Sequence, residues 1–96
     1  MPSSTHYRIR VHPEAVRQMA RLPGHVRQRV RRLVASLADN PRPTEAIELR
    51  DLPGRYRIRI DRWRLIYRVD DEVLVVVILR AGPKTGPEFY ADLPDA

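Results

Sequence analysis

The stretch Arg55-Tyr56-Arg57-Ile58-Arg59-Ile60-Asp61-Arg62-Trp63-Arg64-Leu65-Ile66-Tyr67-Arg68 holds six arginines and one acid. Apolar and basic residues alternate along it, the period of a strand whose two faces meet different surroundings. A hairpin turning through Asp61 and Arg62 pairs Ile60 with Trp63, Arg59 with Arg64, Arg57 with Ile66 and Arg55 with Arg68. Tyr56, Ile58, Ile60, Trp63, Leu65 and Tyr67 then share the core face. Arg55, Arg57, Arg59, Arg64 and Arg68 surround a single Ile66 on the other. Asp-Arg is not a favoured two-residue turn, but a one-residue slip would scramble both faces, and the apolar alternation argues against it. Like charges directly opposite on a sheet repel. Five arginines on one face therefore imply a polyanion or an acidic partner that offsets the repulsion. A merely solvated face is the plainer account; the density and one-sidedness of the charge favour function.

Outward from the hairpin, Val73 to Leu79 is continuously apolar and reads as a central strand covered on both faces. The loop Ala81-Gly82-Pro83-Lys84-Thr85-Gly86-Pro87 follows, and Pro87 to Leu93 reads as a short helix anchored by Phe89. Upstream, Pro41 to Gly54 is a connector punctuated by Pro41, Pro43, Pro53 and Gly54, with Ile47 and Leu49 as an apolar tether. Val26, Val30, Leu33, Val34 and Leu37 form one helical stripe, with arginines on the remaining surface as a solvated face. A preceding helix starts at His12-Pro13-Glu14, carries Ala15, Val16, Met19, Ala20 and Leu22, and breaks at Pro23-Gly24. Tyr7 to Val11 alternates as a half-buried strand. The order β-α-α-β-β-β-α gives an α+β fold, residues 1–96 forming a single domain: a small, mainly antiparallel sheet with a two-helix hairpin on one face.

Composition narrows the chemistry. The 96 residues carry 18 Lys+Arg against 12 Asp+Glu, a formal net charge of +6, and the pI is about 10.7. Lys84 is the single lysine, so 17 of the basic residues are arginines, the side chain suited to bidentate phosphate contacts. Such a balance points to nucleic acid, an acidic protein partner, or both. No cysteine is present, which excludes disulfides and a cysteine nucleophile. His6, His12 and His25 lack metal-ligand spacing and read as surface or capping residues, and no metal or other cofactor is expected. No apolar run approaches a membrane span, and Met1 to His6 lacks a signal peptide's apolar stretch, so a cytoplasmic protein without membrane contact is expected.

These residues, in this order, resemble the RelE/ParE toxin superfamily of type II toxin–antitoxin systems over nearly the whole chain. The resemblance rests on Arg21-Leu22-Pro23, Asn40-Pro41 and Leu49-Arg50-Asp51-Leu52-Pro53-Gly54. It continues through Tyr56-Arg57-Ile58-Arg59-Ile60, Trp63-Arg64-Leu65-Ile66-Tyr67-Arg68-Val69-Asp70-Asp71-Glu72 and Glu88-Phe89-Tyr90. It implies the RelE-like fold and a choice between two activities: mRNA cleavage in the ribosomal A site in the RelE branch, DNA gyrase poisoning in the ParE branch. Basic strand residues of the RelE branch match Arg57 and Arg59, and the arginine before Leu-Ile-Tyr matches Arg64. A post-strand basic residue matches Lys84, a stacking tyrosine matches Tyr90, and Arg50 matches a basic residue near the RNA path. The RNase branch is favoured, with Arg55 and Arg68 as further RNA contacts.

Two departures stand out: arginines where the best-known RelE type often has lysines, and a lysine with two extra prolines in the post-strand loop. Arginine does not deprotonate, so Arg57 and Arg59 serve charge stabilisation rather than base catalysis, and Lys84 is the group suited to act as acid or base. The expected partners are the ribosome, mRNA and a cognate antitoxin whose acidic segment covers the arginine face. A gyrase inhibitor, and a non-catalytic nucleic-acid-binding or decayed toxin, are the alternatives.

Overall fold

In the computed structural model, residues 6–83 and Leu93 are described. Their elements are β1 (Arg8–Val11), α1 (Pro13–Ala20), α2 (Gly24–Ser36), β2 (Ile47–Glu48), β3 (Arg55–Ile60), β4 (Trp63–Asp70) and β5 (Val75–Pro83). The strands form one sheet in the order β1-β5-β4-β3-β2. β1 runs parallel to β5, and every other neighbour is antiparallel.

Both helices cover one face. His12 caps α1 by accepting a hydrogen bond at Nδ1 from the Glu14 amide (3.1 Å), and Pro13 occupies the first turn, where its missing N–H costs nothing. α2 buries Val26, Val30 and Val34, with Leu37 completing the stripe. The same core takes Ile58, Ile60, Leu65, Tyr67, Val76, Ile78 and Ala81 from the sheet. α1 departs from its reading. Ala15 is buried, but Val16 and Ala20 are exposed. This eight-residue helix lies along the part of β5 that β1 leaves uncovered, and Gln18 Oε1 accepts the Ala81 amide there at 2.8 Å. A helix spread along a strand edge buries a narrower strip than one lying over a sheet.

β5 lies between β1 and β4, and its alternate residues enter two cores, as a doubly covered strand requires. Its bounds differ from the apolar run Val73 to Leu79. Val73 and Leu74 are exposed in the preceding turn. Asp70 Oδ1 accepts the amides of Glu72 and Val73 (3.0 and 3.3 Å), folding those residues over, and Leu74 takes a left-handed φ of 56°. At its other end the strand continues through Arg80 to Pro83, beyond a bulge opposite Ile66/Tyr67. Of the expected tether, Ile47 is exposed on the two-residue edge strand β2, paired to β3, and Leu49 alone packs inward, against Ile66, Val77 and Leu79. Of the expected last helix, Leu93 alone is described; it packs on a second cluster of Ile66, Val77 and Leu79.

A polar clasp holds the connector. Arg42 donates to both Asp71 oxygens (3.1 and 2.7 Å) and, through Nε, to the Tyr56 hydroxyl (2.7 Å). The Tyr7 hydroxyl donates to Asp71 (2.6 Å), and the buried Tyr67 hydroxyl donates to the Pro41 carbonyl (2.7 Å). Hydrogen bonds from Arg42 and then Tyr7 hold the Asp71 carboxyl below its ordinary range. A carboxylate depressed in the folded state stabilises above its unfolded pKa of about 3.9 and loses that contribution as pH falls through the lower folded value. Asp71→Asn should therefore be less stable near neutrality, by up to about 1 kcal/mol for so exposed a pair. Its stability should also fall less than that of the parent between pH 6 and strong acid. Thermal unfolding across that range checks it, and parallel pH profiles would contradict it.

Candidate nucleic-acid interface

β3 and β4 pair in the register that the alternation requires: Arg55 with Arg68, Arg57 with Ile66, Arg59 with Arg64, Ile60 with Trp63. The turn is two residues long despite its unfavoured sequence, because Asp61 adopts a φ of 55°, which aspartate tolerates better than most residues. The five arginines consequently share the face opposite the helices. Arg59 is exposed, and the other four are half-buried. On β5, Gly82 lies opposite Arg64 and adds no side chain beside it, while Arg80 lies opposite Ile66.

Internal bonds divide the five. Arg68 stands 3.6 Å from Asp70, and Arg55 Nη1 donates to the Pro53 carbonyl (3.3 Å). Among the described residues no carboxylate pairs with Arg57, Arg59 or Arg64. Arg64 Nη1 donates to the carbonyls of Asp61 and Trp63 (3.2 Å each), which turns its guanidinium toward the hairpin tip. The Nε atoms of Arg57 and Arg64 are buried and lack a hydrogen-bond partner among the described residues. A buried N–H without an acceptor is costly, and on a cation the acceptor that repays it best is an anion. Among the described residues, Arg57, Arg59 and Arg64 thus form a cationic cluster that no carboxylate neutralises.

Arg50 sits outside this cluster, exposed on the turn from Leu49 to Leu52, where the Leu52 amide donates to the Leu49 carbonyl. Lys84 and Tyr90 lie outside the described residues. Sequence reasoning missed two arginines. Arg80 is buried on β5 and stands 3.6 Å from Glu14 of α1; its signal was a lone charge inside an apolar central strand. Arg42 belongs to the clasp, and its partner Asp71 is 29 residues away, a pairing without local signal. Among the described residues no group of three or more histidines and carboxylates is arranged to hold a metal.

Comparison with known proteins agrees with this architecture. The family described as "ParE toxin of type II toxin-antitoxin system, parDE" matches residues 9–84. The mRNA interferase toxin RelE of Escherichia coli K12 is 30% identical over 80 residues, covering 81% of this chain and 83% of the relative. In the RelBE2 toxin–antitoxin complex from Mycobacterium tuberculosis, the matched chain is 30% identical with a TM-score of 0.72, over 90% of this chain and 100% of that one. The intact E. coli RelBE complex matches at 28% identity and a TM-score of 0.74, over 83% and 99%. The family match over residues 9–84 and the 30% identical relative, on a fold that agrees with both, define the class, a toxin of a type II toxin–antitoxin system. The chain belongs to the RelE/ParE toxin superfamily, on its RelE-like branch.

If the arginine cluster receives phosphate, inorganic phosphate should stabilise the fold relative to chloride at equal ionic strength. At about five times Kd the gain is about 1 kcal/mol, about 4–8 °C in Tm for a domain of this size. The double substitution Arg57→Ala with Arg64→Ala should abolish the difference in a thermal scan; an undiminished shift would place the anion elsewhere.

Proposed function

We propose that the chain is a ribosome-dependent endoribonuclease that inhibits translation by cutting mRNA in the A site. The observation that carries this reading is the grouping of Arg57, Arg59 and Arg64 on adjacent positions of one sheet face, two of them with buried, unpartnered Nε among the described residues. The relative named mRNA interferase supports it.

In the cleavage, the 2′-hydroxyl attacks the adjacent phosphorus in line. The 2′-O–P bond forms as the P–O5′ bond breaks, the hydroxyl proton is removed, and O5′ receives a proton. Charge that builds on the non-bridging oxygens is met by guanidinium groups already in place, electrostatic stabilisation that needs no reorganisation at the moment of reaction. Tyr90 stacks on a base and holds the in-line geometry. Lys84 is the side chain suited to move a proton, since lysine, unlike arginine, can give one up. Arg50, Arg55 and Arg68 contact the RNA backbone. The solved relatives in complex with RelB antitoxins support an antitoxin partner, whose acidic segment would cover the arginine face.

The match to a ParE family over residues 9–84 favours one competing reading, gyrase inhibition by binding. A cell-free translation system with mRNA end mapping, run beside a gyrase supercoiling assay, separates the two. Codon-phased cuts that appear only with ribosomes support the RNase; gyrase-linked DNA breaks support the inhibitor. Arg64→Ala and Tyr90→Ala should each abolish growth inhibition while the protein stays folded, and undiminished toxicity in both would refute the site. One scissile phosphate at the cluster and two or three backbone phosphates beyond it also imply a log–log salt slope of about −2 to −3 for single-stranded RNA.

A further inference from the structure

Arg64 is oriented from a distance. Its Nη1 is held by the carbonyls of Asp61 and Trp63, so its direction depends on where the hairpin tip sits. The tip is two residues long, is built from an unfavoured dipeptide, and has Asp61 in the left-handed region. Local chemistry does not hold such a turn firmly. A long-range contact adds a restraint: Arg29 Nη1 donates to Asp61 Oδ2 at 2.8 Å, across 32 residues of sequence. Arg29 rides on α2, which Val26, Val30 and Val34 fix to the core. The other tip arginine, Arg62, lies over the Trp63 ring (5.8 Å), and Trp63 belongs to the core face, so Arg62 does not compete for the tip carbonyls.

We propose that Asp61, anchored by Arg29, is a positioning residue for Arg64, fixing its guanidinium against the scissile phosphate; this rests on the reading above. Stability does not account for the pair. With side chains 48% and 65% exposed, it belongs to the class of surface ion pairs whose net contribution is small. Its effect is geometric. Small misplacements of a charge-stabilising group cost rate rather than fold.

Asp61→Asn isolates that effect, because asparagine also tolerates positive φ and loses only the charge. Arg29→Gln breaks the pair from the other side, and Arg29→Lys keeps the charge as the rescue variant. In 15N spectra of arginine side chains, Arg64 should give distinct, slowly exchanging Nη–H signals in the parent. These should average in Asp61→Asn and Arg29→Gln, and return at least in part in Arg29→Lys, at closely similar Tm. Unchanged Arg64 signals in both charge-removing variants would overturn the proposal whatever the cleavage assay gives. On ribosome-bound mRNA the same two variants should lose up to about fivefold in kcat with KM nearly constant, the most that a surface pair of this class supplies, and add little loss in an Arg64→Ala background, since residues acting as a unit are not additive. Full additivity would also overturn it. A parent that cuts no RNA would instead remove the RNase reading, leaving the spectra to judge the positioning.

Discussion

The constraint on which the structure depends is the two-residue period of the β3–β4 hairpin. Its apolar and basic residues are interleaved so tightly that a shift of one position would bring arginines into the core and Tyr56, Ile58, Leu65 and Tyr67 into water. Burial of those side chains opposes the slip, each worth about 1.5–3 kcal/mol when fully removed from water. The force that closes the core is thus the force that gathers the arginines. No interaction among the arginines themselves favours their grouping, since they repel one another.

The sheet relieves part of that repulsion and leaves the rest. Away from the hairpin tip, Asp70 lies beside Arg68 and the Pro53 carbonyl takes Arg55. On the β5 side, Glu14 reaches Arg80. Nearer the tip, Arg57, Arg59 and Arg64 meet backbone carbonyls or nothing charged among the described residues. Arg42 and Arg29, by contrast, each face a carboxylate. On the proposed reading, the charge left near the tip is the charge that an external anion takes up.

What was legible in the sequence was what periodicity controls. The hairpin register, the α2 stripe and the doubly covered strand were all written in alternation or in 3.6-residue spacing. The start of β5 was not, because Val73 and Leu74 are apolar yet belong to a turn that Asp70 and a left-handed Leu74 impose; apolarity alone does not mark a strand end. The clasp was illegible for another reason. Arg42, Asp71, Tyr7 and Tyr56 come from four separate segments, and only the folded topology brings them together. Of the candidate site, Arg55, Arg57, Arg59, Arg64 and Arg68 were readable from the chain itself, whereas Arg50, Lys84 and Tyr90 rested on the family resemblance. Arg80 carried a signal, a charge directly after an apolar run, whose meaning required the strand to continue past it and the bulge that aligns it with Ile66.

On the proposed reading, one surface carries two opposed tasks. Guanidinium groups of fixed charge stabilise a phosphorane without titrating, so proton transfer falls to other groups and to the alignment that a ribosome imposes on the message. The same fixed charge makes the surface equally receptive to carboxylates of an antitoxin. An acidic partner seated over Arg57, Arg59 and Arg64 occupies the surface that an RNA phosphate would take. Inhibition on that reading is a competition between antitoxin and substrate for the same charged surface. Release needs only that the acidic segment be withdrawn, and the arginine face is returned in the orientation that catalysis uses, since the hairpin register and the Arg29–Asp61 pair belong to the toxin alone.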